Sequence, residues 1–336
     1  MSSNPYENEP GYETRQGPTD KIAQRNYVQK VCNRFKPHCL DESNFHLQIR
    51  HEALRISVIQ RLESYLALHP SGRSLVIARV ELSSEDEEDE ELCPFEPFKD
   101  LCKRRFLWYF ESYLSNVEQG MRDFKDGTLF VRMPFEGSSN TMDGKFVYGE
   151  LRTRLLKIKT TIDAETEGWA QEGLLAREKE STVAVNLQHQ FHQAVAAFKR
   201  NDLPHDLSLD NGNPFLWTMT YFGQPMTNFD GGILRVKMHF SPRFPDEQPR
   251  IVFENKIFHH HVTSDGTVCY SPRLTKREDV RSHLEAIIAV LEVEEPAYDP
   301  RETVNLEATK LYWGKVEDGR KKYNRNLRRS VQQSME

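Results

Sequence analysis

The segment Asn228-Phe229-Asp230-Gly231-Gly232-Ile233-Leu234-Arg235-Val236-Lys237-Met238-His239-Phe240 reads as a turn feeding a strand. Asn, Asp and paired glycines supply the turn, and the alternation that follows gives Ile233, Val236 and Met238 one apolar face. A proline-punctuated loop, Ser241 to Pro249, ends this strand. Arg250-Ile251-Val252-Phe253 forms a second, short strand. A histidine triplet, His259-His260-His261, and a turn-rich segment Ser264-Asp265-Gly266-Thr267-Val268 then lead to Cys269. The cysteine is therefore expected in a loop just beyond a sheet.

Upstream, Leu187, Phe191, Val195 and Phe198 stripe a helix that Pro204 should end, and Trp217 falls in the next strand. Downstream, Arg281 to Val293 carries Leu284, Ile287, Ile288 and Leu291 at helical spacing, and Tyr298-Asp299-Pro300 reads as a turn. Two further helices follow, with Tyr323, Leu327 and Val331 on one face of the last. The fold class is α+β: an antiparallel β-meander with a helix in front and helices behind.

These residues, in this order, resemble the ubiquitin-conjugating enzymes. Members of that family carry a tryptophan strand, a G-P-x-x-x-P-Y-x-G-G turn, an F-P-x-x-Y-P-x-x-P-P loop, an H-P-N triplet and an acceptor cysteine eight residues after the triplet. Here the matching positions are Trp217, Gly223 to Gly232, Phe240 to Pro249, His259 to His261, and Cys269, eight beyond His261. The resemblance spans residues 182 to 333 and implies an activity. Cys269 would accept ubiquitin or a related modifier as a thioester from an activating enzyme and pass it to an amine. It implies no cofactor on this chain, ATP being used by the activating enzyme.

The resemblance also implies roles for neighbours of the cysteine. Asp299 stands where an acidic residue near the cysteine would fall, although an aspartate before proline is also a structural turn choice. His261 replaces the asparagine that stabilises an oxyanion or braces the loop, while His259 bonds loop backbone and Gly266 serves the turn. A metal site is the alternative for the triplet. Adjacent residues of an extended stretch point to opposite sides and no second cluster has zinc spacing, so no metal is expected. Phe244, Pro245 and Asp246 occupy the loop that would meet a ligase, with Asp246 and Glu247 in place of the usual apolar residue. The segment Tyr270 to Lys276 also departs from the family pattern. Few basic residues lie on the first helix, which would alter docking on the activating enzyme. These departures keep open a second reading, an inactive scaffold binding ubiquitin or partner enzymes.

The remainder of the 336 residues divides by composition into residues 1–70, 71–180 and the cysteine-bearing unit 181–336. The string Asn4 to Glu13 is similar to the segment after the active cysteine in large members of the same family. Ala23, Tyr27, Val31 and Phe35, then Ile49, Ala53, Ile56 and Ile59, suggest two packed helices, so residues 4 to about 66 look like the back half of a second such domain. Ser83 to Glu91 is an acidic block, either a solvated spacer or a docking strip with Ser83 and Ser84 as phosphorylation sites. Beyond it, Cys102, Phe106, Phe110, Leu114, Val117, Met121 and Phe124 mark a long amphipathic helix. Leu129, Val131 and Met133 alternate as a short strand, and Gly144 to Ile162 could be strand or helix.

Composition excludes several classes. No run of about 18 apolar residues is present and Met1 to Pro5 lacks signal-peptide character, so no membrane partner and a cytoplasmic or nuclear setting are expected. A net charge of -6 argues against nucleic acid, the basic residues Lys315 to Arg329 reading as a solvated helix face. Cys32, Cys39, Cys93, Cys102 and Cys269 have irregular spacing, which suits reduced thiols rather than a disulfide or zinc framework.

Overall fold

The computed structural model describes residues 42–67, 98–132, 143–273, 276–293 and 296–335. The readings of the stretch Ala23 to Phe35, the acidic block, Cys32, Cys39, Cys93 and Met133 lie outside them. Four strands, β1 (Asp206–Leu209), β2 (Leu216–Phe222), β3 (Ile233–His239) and β4 (Arg250–Phe253), form an antiparallel sheet in sequence order. Trp217, Met238 and Ile251 are cross-strand partners, so one face of the meander is a continuous apolar surface. The turn before β3 sets that face one residue away from the expected one at its start. Leu234, Val236 and Met238 are buried, while Ile233 is exposed.

Helices from both sides complete the core on this face. The helix Thr182–Arg200, called α5 below, is capped by Ser181, whose side chain accepts from the Ala184 amide. It stops at Arg200, before Pro204, and buries Leu187 and Phe198. The helices α6 (Val280–Glu292), α7 (Leu306–Trp313) and α8 (Gly319–Gln333) follow β4, and Leu284, Ile287, Tyr323, Leu327 and Val331 join the same cluster.

A second, helical layer lies against the other sheet face. Within it, α1 (Glu42–Glu52) runs through a π-helical stretch, Ala53–Gln60, into α2 (Arg61–Tyr65), and two long helices follow, α3 (Lys99–Asp123) and α4 (Tyr148–Glu178). The segment expected as strand or helix from Gly144 is helical from Tyr148 onward. The expected strand at Leu129 and Val131 reduces to one bridge, Leu129 to Lys145. The π-helical stretch corrects another expectation: i→i+5 bonding widens the turn, so residues three and four apart drift off one face. Ile49, Ala53 and Ile56 are exposed, Ile59 is buried as expected, and His51, Leu54 and Leu62 also face inward. Leu54, Ile59 and Leu62 pack with Phe106, Leu107, Val117, Leu151, Leu155, Ile158 and Ile162 as a separate apolar cluster.

The two layers meet through polar contacts and a smaller apolar seam. The Asp100 carboxylate, at the start of α3, accepts from Arg250 of β4 at 2.7 Å and from the Gln248 amide at 3.3 Å. Lys159 pairs with Asp265 at 3.1 Å, and Glu165 with Arg243 at 3.4 Å. Trp169 of α4 is buried beneath the Arg250 guanidinium, 5.0 Å from its ring centre. Between the layers remains a cavity of about 350 Å³ whose lining includes Trp108, Lys159, Lys237, His239 and Asp265.

Candidate active site around Cys269

The eight-residue spacing from His261 to Cys269 is that of a small hairpin. Val262 and Val268 form an antiparallel bridge, and the Cys269 amide donates to the His261 carbonyl at 2.8 Å. At the tip, Gly266 has φ +92°, and a Cβ there would lie 2.5 Å from the Phe253 carbonyl oxygen. Its own carbonyl accepts from the Phe253 amide at 2.8 Å, and the Val268 amide donates to Ile251 at 3.1 Å, fastening the hairpin to β4.

The triplet divides its work. Nδ1 of buried His259 accepts from the His261 amide at 3.3 Å. The carbonyl of His260 accepts from the Val304 and Asn305 amides, and its ring nitrogen Nδ1 bonds the Tyr323 hydroxyl at 2.9 Å, tying the loop after Asp299 to α8. Among the described residues no group of three His, Cys, Asp or Glu is arranged to hold a metal ion. The ring of His261 faces a groove of about 680 Å³ with Cys269, Tyr270, Glu285, Asp299 and Glu302 among its lining. Its Nδ1 is buried without a hydrogen-bond partner. Burial lowers the pKa of His261 below 6.5 against the pull of Glu302, so the ring is neutral at pH 7 and carries one N–H.

Asp299 is committed to Arg301. Its Oδ1 accepts from the Arg301 amide at 2.8 Å and from Nε at 3.0 Å, and its Oδ2 accepts from the guanidinium at 2.7 Å. Those bonds hold its carboxyl down at about 2, so it is ionised and a weak proton acceptor. Its backbone carbonyl also closes the turn, accepting from the Glu302 and Thr303 amides. Glu302 was missed in the sequence. It lines the same groove, and among the described residues its carboxylate has no ion-pair partner within 4 Å. The signal was an acidic residue three past Asp299, just before the buried pair Thr303 and Val304.

Cys269 itself is 1% exposed. Burial, together with the negative charge of Glu302, pushes its thiol up to about 12. Its Sγ–H points at the Arg301 carbonyl, 3.8 Å away. In the loop after β3, Phe244 is buried edge-on against Phe240 and so belongs to the core, Pro245 is half-buried, and Asp246 is exposed beside Arg277.

The Cys269 hairpin stands behind a four-stranded meander, with a neutral histidine and two carboxylates lining the groove beside the thiol. The comparisons name the family. The ubiquitin-conjugating enzyme profile matches residues 186–331. The chain is 30% identical over 129 residues to ubiquitin-conjugating enzyme E2 2 of Neurospora crassa, covering 37% of this chain and 79% of the relative. It is 31% identical over 137 residues to ubiquitin-conjugating enzyme E2 7 of Triticum aestivum, covering 36% and 79%. With ubiquitin-conjugating enzyme E2 1 of Caenorhabditis elegans it shares 29% over 125 residues, covering 36% and 61%. The chain belongs to the ubiquitin-conjugating enzyme family.

Proposed function

We propose that Cys269 accepts ubiquitin, or a related modifier, as a thioester from an activating enzyme and passes it to an amine. The observation that carries this reading is the His261–Cys269 hairpin, which sets a thiol and a histidine ring on one groove with two carboxylates. In transfer, the amine nitrogen attacks the thioester carbonyl, the oxygen gathers negative charge, and the sulfur departs. The N–H of neutral His261 can donate to that oxygen, or brace the loop in place of the family's asparagine.

The incoming amine is the second difficulty. An unperturbed lysine has a pKa near 10.4, so roughly one in two thousand is neutral at pH 7. Asp299 can orient the ammonium only by exchanging its Arg301 contacts for it; Glu302, unencumbered by an arginine, is the better placed of the two to take its proton. The chain needs no cofactor for these steps. Its partners are the modifier, the activating enzyme, and a ligase or direct protein substrate, in the cytoplasm or nucleus.

The buried thiol favours a second reading, an inactive scaffold that binds ubiquitin without a covalent bond. A charging assay separates the two. Incubated with activating enzyme, ATP and ubiquitin, the wild-type chain forms an adduct on the first reading, and Cys269→Ala abolishes it with the fold intact. No adduct with any activating enzyme, together with retained ubiquitin binding by Cys269→Ala, establishes the scaffold.

A further inference from the structure

The groove accounts for one side of Cys269; α3 covers the other. Trp108 and Cys269 share a small buried cluster with Val304, and Tyr109 packs against it. The Trp108 ring meets Tyr270, the residue after the cysteine, edge-on at 6.5 Å. The Tyr109 hydroxyl donates to the Arg301 carbonyl, the same oxygen toward which the Cys269 Sγ–H points. One turn of α3 thus clamps the loop from Asp299 to Val304 down over the thiol. Contacts on either side of that turn hold the helix in place. Asp100 grips Arg250 and the Gln248 amide, and Glu111 accepts from the Ser264 amide at 2.7 Å, at the tip of the cysteine's own hairpin.

A thioester donor has to bring a carbonyl carbon within bonding distance of Sγ. In the exchange, the Sγ–C bond forms as the donor's C–S bond breaks, and the donor's thiolate leaves with the proton that Cys269 gives up. A thiol 1% exposed and roofed by indole and phenol rings cannot be met in that way. The roof can detach, because α3 buries Phe106, Leu107 and Val117 in its own layer, and beside the Trp108–Tyr109 turn it touches the sheet unit through ions and hydrogen bonds next to a cavity of about 350 Å³. We propose that α3 is a lid on Cys269, closed by the Trp108–Tyr109 turn, and that acyl exchange at this cysteine requires the lid to lift.

The role of the lid rests on the reading of Cys269 as the acyl acceptor; its closure does not, and a chemical probe tests closure alone. The full chain is treated with iodoacetamide, and the alkylation rate of the Cys269 peptide is followed by mass spectrometry. With the lid closed, Cys269 alkylates at least about a hundredfold more slowly than in the urea-denatured chain. Tyr109→Phe speeds it by about two- to tenfold, the worth of one hydrogen bond. Trp108→Ala speeds it on the order of a hundredfold. The pH midpoint of alkylation also falls in the lid variants, from about 12 toward the ordinary thiol value, as solvent reaches a sulfur faced by Glu302 and Asp299 from the loop, His261 from the hairpin, and Arg105 and Tyr109 from α3. Should Trp108→Ala not fold, Tyr109→Phe and Glu111→Gln, each with a melting temperature near wild type, decide the matter. Wild-type alkylation at the denatured-chain rate, or folded lid variants that alkylate no faster than wild type, overturns the proposal. Lid variants that alkylate faster yet accept no modifier leave the lid standing and remove the thioester reading.

Discussion

The helical layer and the sheet unit are held together internally by the same force, apolar burial, while ion pairs and hydrogen bonds carry a much larger share of the contact between them. In the helical layer Leu151, Leu155, Ile158 and Ile162 are wholly buried at helical spacing; in the sheet unit Trp217, Leu234, Val236 and Met238 are wholly buried at strand spacing. Between them the prominent contacts are Asp100–Arg250, Lys159–Asp265, Glu165–Arg243 and Glu111 to Ser264. Burial of apolar area gives each layer its own stability, at about 25 cal/mol per Å². A buried ion pair adds little net stability but fixes register, and it costs a great deal when one partner is removed. The molecule therefore reads as two apolar cores docked in one specific position, with the Cys269 sulfur at the junction.

The largest effect expected at that junction comes from Asp100→Ala. It leaves the Arg250 guanidinium, 4% exposed, without its carboxylate, and the cost of breaking a buried pair is about 3–5 kcal/mol. Amide exchange in α3 should rise by the corresponding factor while β2 and β3 keep their protection. Equal loss of protection in both layers would show that they form one cooperative unit and break the comparison.

A second effect belongs to the groove alone. His261→Ala should slow discharge of a preformed thioester by about 2.7–4 kcal/mol in barrier, the worth of one oxyanion donor, with charging largely intact. His261→Asn should restore the rate. Single-turnover discharge to lysine measures both, and identical rates for all three chains would leave His261 a loop filler.

The smallest effect for any single residue is a pH dependence. Burial lowers His260 to about 3 and His239 and His283 to about 4, all in the sheet unit. Because these folded values lie below the unfolded value of 6.5, the unfolded chain binds more protons between the two. Stability is therefore full above pH 6.5 and falls as pH drops toward 4, by up to about 1.4 kcal/mol per pH unit for each histidine. Melting temperature measured from pH 6.5 to 5 should decline, and amides of β2 and β3 should lose protection with it. A flat profile would contradict the burial of these neutral rings.

The sequence made much of the sheet unit legible because its signals are local. Strand β4, the helices after it and the His261–Cys269 spacing are each fixed by neighbouring residues. Two local signals misled. The run from Ile49 to Ile59 has helical spacing, but across the start of the π-helical stretch Ile49 and Ile56 fall on the surface while Ile59 stays buried, and no residue type marks where such a widening occurs. Phe244 sits in a surface loop by sequence, yet its ring turns inward onto Phe240. What the sequence hid was the junction. Trp108 and Cys269 lie far apart in the chain, and the stripe of α3 reports only the core of its own layer. For the same reason Asp299 was legible as an acidic turn residue, but its capture by Arg301 and the freedom of Glu302 depend on how that turn closes.

The most direct measurement is the location and lability of the modifier adduct. The chain is incubated with activating enzyme, ATP and ubiquitin, quenched without reductant, digested, and mapped by mass spectrometry across all five cysteines. The account predicts a ubiquitin-derived adduct on Cys269, released by reductant, with Cys32, Cys39, Cys93 and Cys102 unmodified. An adduct on one of those four, or on Cys269 in a form that reductant cannot release, would contradict it.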